Sequence, residues 1–214
     1  MLSPQGPLAD DLYLAAHDTV RGRCALTPAT LGLGLAAGLL AELVLDRRID
    51  LRADRLTVLD DRTTGDLATA AVLGQLLREH RRGVRDWLAF LATGVAADLV
   101  ARRLTRAGLL ERTARRGLFG TRLRFVPVDS VVTGRPGSRI RVSAERRELL
   151  GTTDLVLAGL ILATGLDQHV LVALDPIGRD HLFDQLRRRL PVPLQQLVGH
   201  AEAAVGDAVM ARRA

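Results

Sequence analysis

The sequence predicts a mainly α fold: a single multi-helix domain around a buried apolar helix, with a projecting β-hairpin. Three observations lead there. Apolar residues recur at the three-to-four spacing of helices over most of the chain. Two strongly apolar runs, Leu31 to Leu45 and Leu155 to Leu166, fall short of the roughly 20 residues a bilayer-spanning helix needs and read as buried core helices. One stretch, Leu109 to Val128, breaks the pattern and reads as two strands with a turn near Arg115 to Gly120. With 214 residues and 48% apolar content, such a chain can close a core without disulfides or metals.

Each element has its own signal. Met1 to Asp10 carries Pro4, Gly6 and Pro7 and lacks the basic and apolar regions of a signal peptide, so residues 1–10 are expected to be a flexible N-terminus and residues 11–214 the domain. Asp11 to Ala16 is a short apolar segment. Thr27-Pro28 opens the first long helix, a hydroxyl cap followed by proline at the first helical position, and Gly32, Gly34 and Gly38 within it suit close helix packing. Ile49 to Leu59 alternates around Ala53-Asp54 as a small hairpin. Leu67, Ala70, Ala71, Leu73, Leu76 and Leu77 mark a helix over Asp66 to His80, and Val84, Trp87, Leu88 and Leu91 mark the next, with Trp87 in the core. A third runs from Val95 to Thr105 and stops at Gly108. Asp129 to Arg139, containing Gly134-Arg135-Pro136-Gly137, reads as a loop or linker. An amphipathic helix to Leu150 and the apolar helix Asp154 to Leu166 follow. Arg179 to Leu190 places Leu182, Phe183, Leu186 and Leu190 on one stripe, and Leu194 to Arg212 forms the last helix.

All 30 basic residues are arginine, and neither lysine nor asparagine occurs, the composition expected of a GC-rich, bacterial coding sequence. Residues 101–150 hold 13 arginines against four acids, a local charge of +9 in a chain whose total is +6. A concentrated positive face suits an anionic partner, lipid headgroups or nucleic acid, and arginine's planar fork suits phosphate. Cys24 is the only cysteine, consistent with a reducing cytoplasm. The five histidines lie in separate elements without the spacing of metal ligands, the glycines of the first long helix lack a dinucleotide-loop context, and no nucleophile has a base near it in sequence. No enzyme, catalytic residue, metal or cofactor is therefore expected.

Several segments, in order, resemble the Golgi phosphoprotein 3 family. Asp11-Leu12-Tyr13-Leu14-Ala15-Ala16-His17-Asp18 with Gly22 is similar to its opening leucine-rich stretch. Glu42-Leu43-Val44-Leu45-Asp46-Arg47-Arg48-Ile49 resembles its Glu-Leu-x-Leu helix end, Thr64-Gly65-Asp66 its Thr-Gly-Asp loop, and Val84-Arg85-Asp86-Trp87 its Val-x-x-Trp helix. Leu99 to Leu110 and Phe125-Val126-Pro127-Val128-Asp129 resemble its arginine-rich helix and following hairpin. The resemblance implies a helical domain, peripheral on the cytoplasmic face of a membrane, that binds phosphatidylinositol 4-phosphate and, in eukaryotes, retains glycosyltransferases through their cytosolic tails. The family's headgroup tryptophan and arginines fall here on Thr27, Ala36, Gly94 and Ala97, so that pocket is not matched residue by residue.

The candidate headgroup-binding residues are instead the neighbouring Arg102, Arg103 and Arg106 and the hairpin's Arg115, Arg116, Arg122 and Arg124. Leu118 and Phe119 at the tip are candidates for membrane insertion or an oligomer contact. Arg102 is divided between headgroup contact and pairing with Asp98, four residues before it. Expected partners are anionic membrane lipids, a second copy through the hairpin, and a protein cargo. The competing reading is a winged-helix-like DNA-binding regulator, because Leu99 to Val128 reads helix, glycine, strand, arginine-rich turn, strand. Its usual size, about half this chain, and the apolar helix Leu155 to Leu166 speak against it.

Overall fold

The computed structural model describes residues 6–18, 23–79, 81–117 and 120–211. Among these, ten helices and two antiparallel β-hairpins surround one continuous apolar core. At its centre lies α2 (Pro28–Leu45), long and apolar enough by length and composition to cross a bilayer, yet wrapped here by other helices. Thr27 caps it, accepting from the Thr30 N–H at 3.2 Å, and Pro28 occupies the first turn as expected. Two of its glycines, Gly32 and Gly38, lie against the backbone of neighbouring helices. A Cβ on Gly32 would sit 2.7 Å from the Ala92 carbonyl oxygen, and one on Gly38 would sit 3.1 Å from the Ala9 Cα.

Around α2 pack α1 (Leu8–Ala15), α3 (Leu67–Arg78), α4 (Val84–Ala92), α5 (Val95–Arg106), α7 (Thr152–Ala163) and α10 (Val192–Met210). Trp87 on α4 is 1% exposed, a core residue as expected. The first hairpin joins β1 (Ile49–Arg52) to β2 (Arg55–Val58), turning on Ala53 and Asp54 at φ 46° and 62°, the paired positive angles a two-residue turn demands.

Several expectations need correction. Helix α1 begins at Leu8, and Leu8, Ala9 and Asp10 are buried, so the boundary expected at residue 10 lies inside a packed helix. The loop expected over Asp129 to Arg139 is the first half of α6 (Ser130–Glu145), which runs straight through Pro136. Asp129 caps it, accepting from the Val131 N–H at 2.8 Å. Interior proline costs a helix about 3 kcal/mol. Tertiary contacts offset it: Pro136 and Gly137 are buried, Ile140 and Ala144 are fully so, and Arg139 is held by two carboxylates.

On α3 the buried stripe is Ala68, Thr69, Val72, Leu73 and Leu76, leaving Leu67 and Leu77 exposed. Helix α8 (Asp167–Val170) is a single turn leading to α9 (Pro176–Arg189). There Leu182 and Leu190 are buried and Leu186 half-buried, but Phe183 faces outward, because the inward stripe runs through Gly178, Leu182 and Gln185. Gln185 fixes that phase: its Oε1 accepts from the Leu150 N–H at 2.9 Å and its Nε2 donates to the Glu148 carbonyl at 3.1 Å.

Candidate functional site

The second hairpin and α5 form one continuous unit. Helix α5 turns Ala96, Val100, Ala101 and Leu104 inward. It ends where Gly108, at φ 71°, lets the Leu109 N–H reach back to the Leu104 carbonyl at 2.9 Å. That reversal launches β3 (Leu110–Gly117), which pairs antiparallel with β4 (Gly120–Pro127). Buried Leu110 anchors the base of the ribbon, which packs on α5 and α6.

Strand register groups the candidate arginines. Arg115 lies directly across from Arg122, and Arg124 across from Thr113, so residues 113, 115, 122 and 124 share one face of the ribbon. Arg116 lies across from Thr121 on the opposite face, together with Arg112. Arg112, outside the candidate set, is exposed and, among the described residues, has no carboxylate partner. Only its place in an alternating strand could have singled it out. Leu118 and Phe119, the expected tip, lie outside the described residues.

The three α5 arginines separate. Arg102 and Arg106, one turn apart, are exposed; Arg102 pairs with Asp98 at 2.8 Å, and both partners remain open to solvent. Arg103 does not belong with them. Its side chain is 11% exposed, and it donates from Nε to Asp10 at 2.8 Å, from Nη1 to Glu42 at 2.8 Å and to Asp66 at 2.9 Å, and from Nη2 to Glu42 at 2.9 Å. At 100° per residue, Arg103 cannot share a face with Arg102, and a guanidinium holding three carboxylates has little left for a headgroup. Arg103, expected to contact a headgroup, is instead an internal ion-pair residue.

This cluster clamps α1, α2 and α3 to α5. Glu42 also accepts from the Ala9 N–H at 2.8 Å, and Asp66 caps α3 by accepting from the Thr69 N–H at 2.8 Å. Three carboxylates share one guanidinium away from water, and burial first, with their mutual repulsion a smaller effect, shows in proton affinity. Burial, opposed by Arg103, raises Asp10 from 3.8 to about 7, and burial likewise raises Glu42. Burial pushes Asp66 upward too, but the Thr69 N–H and Arg103 outweigh it and leave Asp66 below its ordinary value. A second clamp lies nearby: Arg139 on α6 binds Asp11 at 2.7 Å and Asp154 at 2.8 Å, tying α6 to α1 and α7, and burial raises Asp11. The visible sequence signals were acids inside apolar segments, Glu42 above all, which must find a buried cation. Among the described residues no group of three histidine, cysteine or acidic side chains is placed to hold a metal.

Clamp, ribbon and central helix together define a helical domain that carries a basic two-stranded arm. The Golgi phosphoprotein 3 (GPP34) family profile matches residues 8–211, nearly the whole chain, and the protein belongs to that family. No curated protein matches it. Three of the motifs that carry the resemblance meet at a single point: Glu42, Asp66 and the arginine-rich helix converge on Arg103. The four positions on which the resemblance placed the family's headgroup residues are structural here. Thr27 caps α2, Gly94 takes φ 118° before α5, Ala36 is fully buried and Ala97 is half-buried against the core.

Proposed function

We propose that this protein is a peripheral membrane protein that docks on anionic, phosphoinositide-like lipid headgroups at the cytoplasmic face of a membrane, through the outer face of α5 and the β3–β4 ribbon. The observation that carries the reading is the register that groups Arg115, Arg122 and Arg124 on one face of an arm that follows directly on α5, the helix that carries exposed Arg102 and Arg106. Each basic residue near an anionic leaflet contributes about 1 kcal/mol, so five give useful affinity only together. Because Thr27, Ala36, Gly94 and Ala97 offer no charge to a phosphate, recognition follows surface charge, and phosphatidylinositol 4-phosphate is one acceptable headgroup among others of equal charge. No catalytic step is part of this role, and a protein cargo or a second copy would add to the same docking.

Flotation with neutral, phosphatidylserine-containing and phosphatidylinositol 4-phosphate-containing vesicles tests it, with a duplex-DNA shift assay at matched salt alongside. Anionic vesicles of either kind should recover the protein, neutral ones should not, and Arg115→Glu with Arg122→Glu should abolish recovery while leaving the thermal melt unchanged. Recovery unaffected by that double variant, or DNA binding with no lipid preference, overturns the reading.

A further inference from the structure

A cleft of about 460 Å³ opens beside the base of the ribbon, between α1 and α6. Its apolar wall is Leu14, Leu109, Val132, Pro136 and Val142. Leu109 immediately precedes β3, and Val132 lies in the first turn of the helix that follows β4, so both ends of the arm frame the opening. Along α6 and its C-terminal cap, Val132, Arg135, Arg139, Val142 and Arg146 recur at three-to-four spacing and form one stripe of two valines and three arginines.

The arginines on that stripe are not equivalent. Arg139 is bound to Asp11 and Asp154 and forms part of the floor. Arg146 is mostly exposed, with Glu148 only at 3.9 Å. Arg135 is exposed and has no carboxylate partner among the described residues. Asp11, bound to Arg139, and Glu148, beside Arg146, also line the cleft, so its apolar wall meets a rim of two acids and three arginines on which Arg135 supplies the excess positive charge. The cleft falls within the size range of small-ligand sites, and its chemistry complements an amphiphile with one apolar chain and an anionic head.

We propose that this cleft binds a single-chain anionic phospholipid, its phosphate on Arg135 and Arg146 and its acyl chain along Leu14, Val132 and Val142. The source of the ligand rests on the membrane-docking reading; the cleft does not. A docked arm would bring the opening to the leaflet, where a single-chain lipid meets no barrier of bulk water on entry. A second copy of the arm is a poorer occupant, since its arginines would face the positive rim.

The test uses the full chain and decanoyl lysophosphatidate below its micelle concentration, followed by titration calorimetry. The choline-headed lipid of the same chain and glycerol phosphate without a chain serve as comparisons. Lysophosphatidate should bind one to one, the choline lipid at least about tenfold more weakly, and glycerol phosphate not measurably. Arg135→Glu, at an exposed position, should weaken binding about tenfold with an unchanged melt, and Val142→Phe should weaken it by filling the wall. Equal binding of all three probes, no binding of lysophosphatidate, or an indifferent Arg135→Glu overturns the proposal. The Arg115→Glu/Arg122→Glu arm variant separates the two readings. If it loses vesicles but keeps lysophosphatidate, both stand; if the parent protein binds lysophosphatidate but no vesicle, only the docking reading falls; if the arm variant loses the soluble lipid as well, the cleft is not the site.

Discussion

Replacing Arg103 by methionine removes one side chain from an 11%-exposed position and leaves three carboxylates facing one another. Breaking a buried pair by removing one partner costs about 3–5 kcal/mol, because the remaining charge stays desolvated. Two of the three acids here, Asp10 and Glu42, are substantially buried, whereas Asp66 is partly open to water, so the upper part of that range applies. In a chain of this length 1 kcal/mol moves the melting temperature by about 2–4 °C, and the expected loss is roughly 10 °C or more. The effect should depend on pH. Acids stripped of their cation take up protons readily, so Arg103→Met should be less damaging at pH 5 than at pH 8. Thermal denaturation by circular dichroism across that range reads both quantities. Combining Arg103→Met with Asp10→Asn and Glu42→Gln should restore much of the stability, since neutral isosteres leave no uncompensated charge. A single variant within 2 °C of the parent at pH 8, or one whose deficit grows on acidification, would refute the argument that this guanidinium holds four helices together.

Two further outcomes follow from the same geometry. In the parent protein, Asp10, Asp11 and Glu42 bind protons more tightly folded than unfolded, so above the ordinary carboxylate range, and for Asp10 up to about pH 7, the native state holds protons that the unfolded chain has released. Their contribution to stability therefore falls as pH rises through that window. The depressed Asp66 acts oppositely, contributing stability above its ordinary 3.8 and losing it on acidification below that. The melting temperature should be higher at pH 5.5 than at pH 7.5, and Asp10→Asn should flatten the difference; a steady rise with pH would contradict the assignment. Gly32→Ala should destabilise by about 1–3 kcal/mol despite alanine's better helix propensity, because the new methyl meets a backbone carbonyl at 2.7 Å and neither helix can yield cheaply. Urea denaturation checks it, and a variant as stable as the parent would mean that the contact between α2 and α4 relaxes freely.

Much of this molecule was legible from local pattern. The apolar runs that became α2 and α7, the Thr27-Pro28 helix start, Trp87 in the core and both hairpins are set by periodicity, capping and turn chemistry, each acting over a few residues. The family, too, was visible as motifs in order. What failed was everything requiring knowledge of a distant neighbour. Proline and glycines at residues 134–137 signal a loop locally, and only burial of Ile140 and Ala144 and the carboxylates waiting for Arg139 explain why α6 runs through them. Phe183 and Leu182 are adjacent and both apolar, so the choice of which faces inward fell to Gln185 and its two backbone partners 35 and 37 residues away. Arg102, Arg103 and Arg106 look alike as a string of charges, yet α5's rotation buries one against acids 37, 61 and 93 residues distant and leaves the others in water. Composition determined that this protein would carry a basic middle; which of those charges are spent inside and which remain for a partner is a long-range electrostatic outcome that only the folded chain decides.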